Sequence, residues 1–507
     1  MIFRLFGVTE EKASQIASLS YAVRVRVLIG YLGKFCLVLA ALTIVPATVS
    51  IGAAEYGITI RYLTVIAGLG VVGGGMMWQG VAAPLQQNES MVLSALMFVL
   101  TPLAMTYPMM ASGLPPLDAF FEAVSAATTT GLSTAASVED KPTTFLFSRA
   151  WMQWYGGLGI VFVSLALVVS PGLSAKRLAG GDDETADLIG STRAHARWVL
   201  IVYGLLTLFG VGVVWGLGRL NVFDSLVYVL SAVSTGGFSP HDASLGALPD
   251  RRTPALIMAV ALMGSISMVF YRRLYRENWR TMFEDRQMQG LLVLCILGAG
   301  ILFLTTGPGT ALRSHPIWHA MMTAVSAQST TGFATLSMDQ FSNAGLLLII
   351  AAMFVGGCIG STAGGLKIFR LIITLRLVLY MVIRTAMPRD AVVHPRLASR
   401  RVDPADIQNA VSILLLFLGV IFISWFTFLL WGHPPLSSLF EVVSATGTVG
   451  LSAGITSPDL APVLKVVLCA DMLMGRLEIL AMMVLLYPRT WVGTRRGVPT
   501  SGLHGPS

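Results

Sequence analysis

Charge is what this sequence has least of: Asp, Glu, Lys and Arg make up 12% of its 507 residues, where an ordinary soluble domain carries about a quarter. With 55% hydrophobic residues and a mean hydropathy of +0.74, that scarcity excludes a soluble globular domain and reads as an all-α integral membrane protein. Cysteine is rarer still. Cys36, Cys295, Cys358 and Cys469 stand singly in apolar segments, which excludes a disulfide framework or a CxxC-type metal site and leaves them as small buried apolar residues. The seven histidines show no ligand spacing, and His315 and His319 read as interfacial residues. No small-residue cleavage site follows the first apolar run, so that run is expected to stay as a span.

What is present is a succession of long apolar segments, near 27–51, 59–83, 91–112, 150–170, 198–218, 254–271, 290–306, 345–380, 407–431 and 462–487. With the N-terminus inside, the inner connections collect most of the basic residues. They include Arg4, Lys12, Arg24 and Arg26; Lys176, Arg177, Arg193 and Arg197; Arg272, Arg273, Arg276, Arg280 and Arg286; a run from Lys367 to Arg401; and Arg489, Arg495 and Arg496. The positive-inside rule then places both termini in the cytoplasm. The net charge of +8 is thereby topological, and no nucleic-acid signature accompanies it.

Four short polar stretches interrupt this pattern: "SAATTTGLST" from Ser125, "SAVSTGGFS" from Ser231, "SAQSTTGFAT" from Ser326 and "SATGTVGLS" from Ser444. Aligned on Gly131, Gly237, Gly332 and Gly450, each has a Ser-Ala pair five and six residues before the glycine and a threonine two before it, Thr129, Thr235, Thr330 or Thr448. Leu132, Phe238, Phe333 or Leu451 follows, then Ser133, Ser239, Ala334 or Ser452. A repeat of about a hundred residues is a large structural unit.

The ten to fifteen residues before each motif are too few to span about 30 Å of hydrocarbon. Asp118 and Asp224 near the starts of two of them, with Pro115 and Pro116 before the first, suit helix N-termini. Each unit therefore reads as span, re-entrant helix, polar loop, span. One such loop alone reads as a turn capping helices; four in matching places read as loops around a shared axis, because irregular backbone at membrane depth must be buried in protein or line a cavity. Their carbonyls can replace a cation's hydration shell, and the four helices aim the negative ends of their dipoles at the centre. The expected fold is four pseudo-symmetric pore units after two extra N-terminal spans. Its divisions are 1–87, 88–178, 179–280, 281–395, 396–492 and a cytoplasmic tail at 493–507.

"TTTGLS", "STGGFS", "STTGFA" and "GTVGLS", with "GSTAGGLKIFR" and "GRLEIL", resemble the filter loops and two further marks of the TrkH/KtrB superfamily of potassium transporters, over about residues 20–490. The two leading spans resemble the TrkH branch. The resemblance implies potassium uptake through a filter made by Thr129, Thr130, Gly131 and Leu132; Thr235, Gly236, Gly237 and Phe238; Thr330, Thr331, Gly332 and Phe333; and Thr448, Val449, Gly450 and Leu451. No filter glycine is replaced, which in this family implies potassium preference. A homodimer in the cytoplasmic (inner) membrane and a cytosolic, TrkA-like ring of nucleotide-binding regulatory subunits are also implied. The basic segments at 272–286 and 384–401 are candidate docking surfaces or simple topology determinants. The chain itself calls for no cofactor, potassium being the substrate.

Segment 345–380 would be roughly 54 Å long as one helix, so it should break, and Gly356 to Lys367 is the place. Gly356, Gly357, Gly360, Ser361, Thr362, Gly364, Gly365 and Lys367 are either close packing against a neighbouring helix or, as the resemblance implies, a movable gate under the filter. The last span carries Asp471, Arg476 and Glu478, each expensive near a helix centre. The resemblance puts Arg476 beside the gate. As one helix this span would set Asp471 and Glu478 on a common face and Arg476 off it, leaving Glu478 to anchor another helix. Lys367 and Arg370 read as markers of the cytoplasmic end of the broken helix.

Two other readings compete. A proton- or sodium-coupled secondary transporter would use Asp471 or Glu478 as proton carrier. An intramembrane serine hydrolase would use Ser452 in "GLSAG", but that motif lacks a strand-turn-helix context. "GLGVVG" at Gly68 lies within a span, and "GSTAGGLK" misses the P-loop pattern because Leu366 separates glycine from lysine.

Overall fold

The structure, a computed structural model, describes residues 22–81, 83, 85–168, 188–276, 285–305, 315–386, 396–397, 400–401 and 404–492. Two apolar helices, α1 (Val25–Gly52) and α2 (Tyr56–Gln79), pair first. Their hairpin closes through Ser50 and Thr59, whose hydroxyls meet at 2.8 Å. The Arg24 guanidinium ahead of α1 donates to Glu89 at 2.7 Å in the first turn of α3 (Gln87–Met109).

Four units follow. The first continues α3 with α4 (Pro116–Ala127) and α5 (Thr143–Val168). The second has α6 (Leu188–Leu217), α7 (Val222–Val233), α8 (Arg252–Gly264) and α9 (Met268–Arg276). The third has α10 (Arg286–Thr305), α11 (Pro316–Gln328), α12 (Asn343–Val355) and α13 (Ile368–Thr385). The fourth has α14 (Pro404–Leu430), α15 (Pro435–Thr446), α16 (Pro462–Arg476) and α17 (Leu480–Leu486), with a last turn α18 (Pro488–Trp491) behind it. A minimal hairpin, β1 (Arg396–Leu397) and β2 (Arg400–Arg401), lies between α13 and α14. Among the described residues, six helices are each long and apolar enough to cross a bilayer.

The short helices α4, α7, α11 and α15 hold 12 or 13 residues, about 18–20 Å of rise. Proline at the first helical position starts three of them, at Pro116, Pro316 and Pro435. Asn221 starts the other by accepting the Asp224 N–H at 2.7 Å. All four end alike. The N–H groups of Thr129, Thr235, Thr330 and Thr448 return to the carbonyls of Ala126, Ala232, Ala327 and Ala445, and those of Thr130, Gly236, Thr331 and Val449 return to Ser125, Ser231, Ser326 and Ser444. This is the Schellman pattern. The repeated Ser-Ala pair is therefore the set of last-turn carbonyls that close each helix.

The second spanning helix departs from expectation in two units. The segment read as one span at 254–271 is α8 and α9, bent by 88° at Ser265–Ser267. The Gly264 and Ser265 carbonyls there accept the N–H groups of Thr362 and Cys358, and the Gly360 carbonyl accepts the Met268 N–H. The chain breaks because the segment inserted from unit three takes up its terminal backbone groups. The segment at 462–487 is likewise α16 and α17, parted at Leu477–Ile479, where Glu478 and Ile479 have φ of 53° and 64°.

Units four and one meet through a buried ion pair. Lys465 of α16 and Asp118 of α4, 347 positions apart, lie 2.5 Å from each other with side chains only 5% and 9% exposed. Removing one partner strands a desolvated charge at a cost of about 3–5 kcal/mol. Asp118→Asn and Lys465→Met are each expected to lower the apparent melting temperature in detergent, and the double variant Asp118→Leu, Lys465→Met to recover most of the loss. A double variant as unstable as the singles would dissociate the pair from stability.

Candidate functional site

The four polar loops close into a ring through backbone contacts. A Cβ added to Gly131 would overlap the Gly236 carbonyl oxygen; one on Gly237 the Thr331 oxygen; one on Gly332 the Val449 oxygen; and one on Gly450 the Thr130 oxygen. Each unit thus touches the next and the fourth returns to the first. The glycines have φ of 95°, 77°, 80° and 94°, so alanine there would meet both a left-handed backbone and a neighbouring loop. Two residues earlier, Thr129, Thr235, Thr330 and Thr448 also lie in the left-handed region, with φ of 54°, 52°, 54° and 50°. A β-branched residue is seldom found there.

Above the ring opens a vestibule of about 310 Å³ lined by all four loops, including Leu132, Phe238, Ala334 and Ser452. Phe333 packs instead in the core beside Tyr228. Braces behind the loops explain where the repeat varies. Glu122 accepts the Ser133 hydroxyl at 2.5 Å, Glu441 accepts the Ser452 hydroxyl at 2.6 Å, and the Tyr228 and Ser239 hydroxyls meet at 3.0 Å. In unit three the same positions hold Thr323, whose hydroxyl has no partner, and Ala334. The missing serine therefore goes with a missing brace. Ser452, the nucleophile of the hydrolase reading, is one of three equivalent brace serines. Gly236 stands where the other loops have Thr130, Thr331 and Val449 because Gln153 fills the space a side chain would need; its Nε2 donates to the Gly236 carbonyl at 2.5 Å. Arg149 stacks 3.7 Å over Phe238 and lies 3.5 Å from Glu122.

Beneath the ring sits the segment between α12 and α13, bonded to units two, three and four. The Gly364 N–H donates to Thr330 Oγ1 at 2.7 Å and the Gly365 N–H to the Gly447 carbonyl at 3.1 Å. The Thr362 hydroxyl lies 3.0 and 2.9 Å from the Val233 and Gly264 carbonyls. At its ends, Gln328 Nε2 donates to the Gly356 carbonyl at 2.6 Å, the Gly357 carbonyl accepts the Ile368 N–H, and Ser361 Oγ donates to the Cys358 carbonyl. Arg476, 1% exposed, donates to the Thr362 carbonyl at 2.8 Å and to the Gly156 carbonyl of unit one at 3.0 Å. Carbonyls are thus its hydrogen-bond partners among the described residues.

Lys367 stands at the start of α13, as expected of an end of the broken helix, but it is buried, 3% exposed, has φ of 81°, and turns back to donate to the Ala363 carbonyl. One expectation is corrected here. Asp471 and Glu478 do not share a face, because the helix ends between them. Asp471 accepts from Ser424 at 2.7 Å, whereas Glu478 reaches Arg370 of α13 at 2.5 Å. Glu478 does anchor another helix. Sequence reasoning missed Gln153, Gln328, Glu122 and Glu441. Extending the repeat alignment nine residues upstream of the glycines would have exposed Glu122, Tyr228, Thr323 and Glu441 as one column; nothing local marks Gln153.

Four re-entrant helices and loops closed around one axis define a pore-loop membrane protein. The chain belongs to the TrkH family of cation transport proteins, whose model matches residues 86–305 and 309–490. It is 30% identical over 477 residues to the Trk system potassium uptake protein TrkI of Halomonas elongata, covering 90% of this chain and 94% of that one. It is 28% identical over 445 residues to the Trk system potassium uptake protein TrkH of Escherichia coli K12, covering 82% and 89%. The fold matches the crystal structure of the potassium transporter TrkH from Vibrio parahaemolyticus with a TM-score of 0.81 and 23% identity, over 93% of this chain and all of that one.

Proposed function

We propose that this chain takes up potassium down the membrane potential through the four-loop ring, with the 356–367 segment as its gate. The observation that carries the reading is the cyclic contact of Gly131, Gly237, Gly332 and Gly450 with the next loop's carbonyl, a backbone frame able to replace an ion's hydration shell. The names of the curated relatives supply the ion. A negative interior drives each cation by about 2.3 kcal/mol per 100 mV. Bonds from the segment to Thr330, Gly447, Val233 and Arg476 support a closed conformation. Basic residues on α9 and α13, Arg272, Arg273, Arg376 and Arg384, support the gate side as cytoplasmic and a surface there for a regulatory ring. A homodimer belongs to the same reading.

Rubidium uptake into proteoliposomes under an imposed negative-inside potential tests it. Potassium is expected to compete at concentrations about tenfold or more below sodium, equivalent to about 1.4 kcal/mol of discrimination. Equal competition by both ions would remove the filter from the reading, and uptake absent at every potential would remove the function.

A further inference from the structure

The second loop is held from outside its own unit. In loop one the hydroxyls of Thr128 and Thr130 meet at 2.8 Å, and in loop three those of Ser329 and Thr331 meet at 2.7 Å. Each pair ties the residue before the ring glycine to the end of its own re-entrant helix. Loop four fills that place with the buried Val449, but loop two has Gly236, with no side chain to tie or to pack. The Gln153 amide of α5 does both. Its Nε2 donates to the Gly236 carbonyl at 2.5 Å and its Oε1 accepts the Phe238 N–H at 3.3 Å, so one side chain of unit one grips the backbone on either side of Gly237. The Gly236 carbonyl is also the group against which Gly131 of loop one is seated. One turn earlier on α5, Arg149 covers the Phe238 ring and lies beside Glu122, the brace of loop one.

Units two and four have no such pair. Gly156 of α5, Gly264 of α8 and Gly475 of α16 align the three outgoing helices, since a Cβ on each would overlap the carbonyl four residues before its ring glycine, that of Ala127, Val233 or Thr446. On this alignment Arg149 and Gln153 correspond to Ile257 and Ala261 in α8 and to Leu468 and Met472 in α16, all of them buried. Apolar residues suffice at these places, and a buried guanidinium and amide within a span are costly. We infer that Gln153 is the positioning residue of loop two, and that its grip sets how sharply the ring discriminates potassium from sodium. This rests on the permeation reading above. Two successive glycines make loop two the most compliant of the four. A ring that can contract at one loop fits the smaller sodium ion at little cost, whereas a loop held at both its carbonyl and its N–H keeps the ring oxygens at one spacing. Gln153 acts only through Gly236 and Phe238.

An exchange of side chains between α5 and loop two tests it. Gln153→Leu loses both bonds at nearly unchanged volume. The ratio of the sodium to the potassium concentration that halves rubidium uptake into proteoliposomes is then expected to fall about tenfold, the scale of one lost buried hydrogen bond. Gly236→Thr forces a branched side chain into the amide, since a Cβ there would overlap the end of Gln153, and is expected to lower the ratio as far. Gly236 has no positive φ, so its backbone accepts threonine once the space is free. In the double variant Gln153→Ala, Gly236→Thr the new hydroxyl stands two residues after Ser234, whose hydroxyl bonds the Leu230 carbonyl just as that of Thr128 bonds the Val124 carbonyl. The tie of loop one is thereby rebuilt in loop two, and the ratio is expected to return to within about threefold of wild type. A merely structural role for Gln153 would leave the ratio at its wild-type value in every variant that still transports. Because the double variant is read against wild type, it decides the matter even where a single variant does not elute as one species. A ratio unchanged in Gln153→Leu, or a double variant no more selective than the singles, would overturn the role of Gln153 even where wild-type uptake is potassium-selective. Wild-type uptake inhibited equally by both ions would instead overturn the filter reading beneath it.

Discussion

Replacing Gly332 by alanine is expected to abolish potassium-selective rubidium uptake, with a residual flux at least about a hundredfold below wild type, roughly 2.7 kcal/mol or more. Two costs add at this position. The left-handed backbone, φ 80°, penalises any Cβ by about 1–2 kcal/mol, and the new carbon would overlap the Val449 carbonyl of the next loop. That second contact is backbone, which has no rotamer to yield. Relief must come from separating loops three and four, which changes the spacing of the ring oxygens proposed to replace the hydration shell. Gly454→Ala is the internal control: its φ is 89° but a Cβ there meets nothing within 4 Å. It is expected to keep near-normal uptake and selectivity. If Gly332→Ala and Gly454→Ala behave alike, backbone strain and not ring closure explains the glycine. Gly131→Ser is expected to lie between loss and function, relaxing discrimination against sodium, because its hydroxymethyl group is driven against the Gly236 carbonyl of loop two.

Arg476→Met is expected to raise uptake by about tenfold or more in the absence of any regulatory partner. The guanidinium is fully buried and is held by the Thr362 and Gly156 carbonyls, so its positive charge has no paired carboxylate among the described residues. Two like unit charges about 8 Å apart repel by about 2 kcal/mol at an effective dielectric near 20, about a thirtyfold effect on flux. The same substitution removes the bond that ties the 356–367 segment to α16. Both effects act in one direction. Uptake equal to or below that of wild type, from protein that still elutes as a single species, would make Arg476 a structural strut between units.

The contacts of the 356–367 segment extend across the molecule. Thr362 joins the backbones of α7 and α8, Gly364 joins the third loop, Gly365 joins the fourth, and Arg476 carries the connection to α5 of unit one. Loss of any one bond loosens a segment that the others still hold. Loss of Arg476 removes the charge and two of these bonds together.

The repeat, its register and the break in unit three are local properties, and the sequence by itself determined them. Hydropathy marks a span within about twenty residues. A Ser-Ala pair, a threonine and a glycine at fixed spacing specify how a twelve-residue helix ends, because the Schellman turn is built from hydrogen bonds between residues three and five apart. Five glycines between Gly356 and Lys367 cannot continue a helix well. Each of these signals lies within one stretch of chain.

Tertiary structure decided the rest. Gly236 is glycine because Gln153, 83 positions away, occupies its side-chain space. Ala334, which lacks a hydroxyl, stands opposite Thr323, whose Oγ1 has no partner among the described residues. The bends after Gly264 and Arg476 were invisible as sequence, since neither "MGSISM" nor "GRLEIL" holds a proline or a glycine cluster to mark a break. They exist because unit three supplies the partners: N–H groups of Cys358 and Thr362 for the α8 end, and Arg370 of α13 for Glu478. In a bilayer no water can take up a freed backbone group, so where a helix stops is settled by which neighbour can receive its ends, and that neighbour is a hundred residues away in the chain.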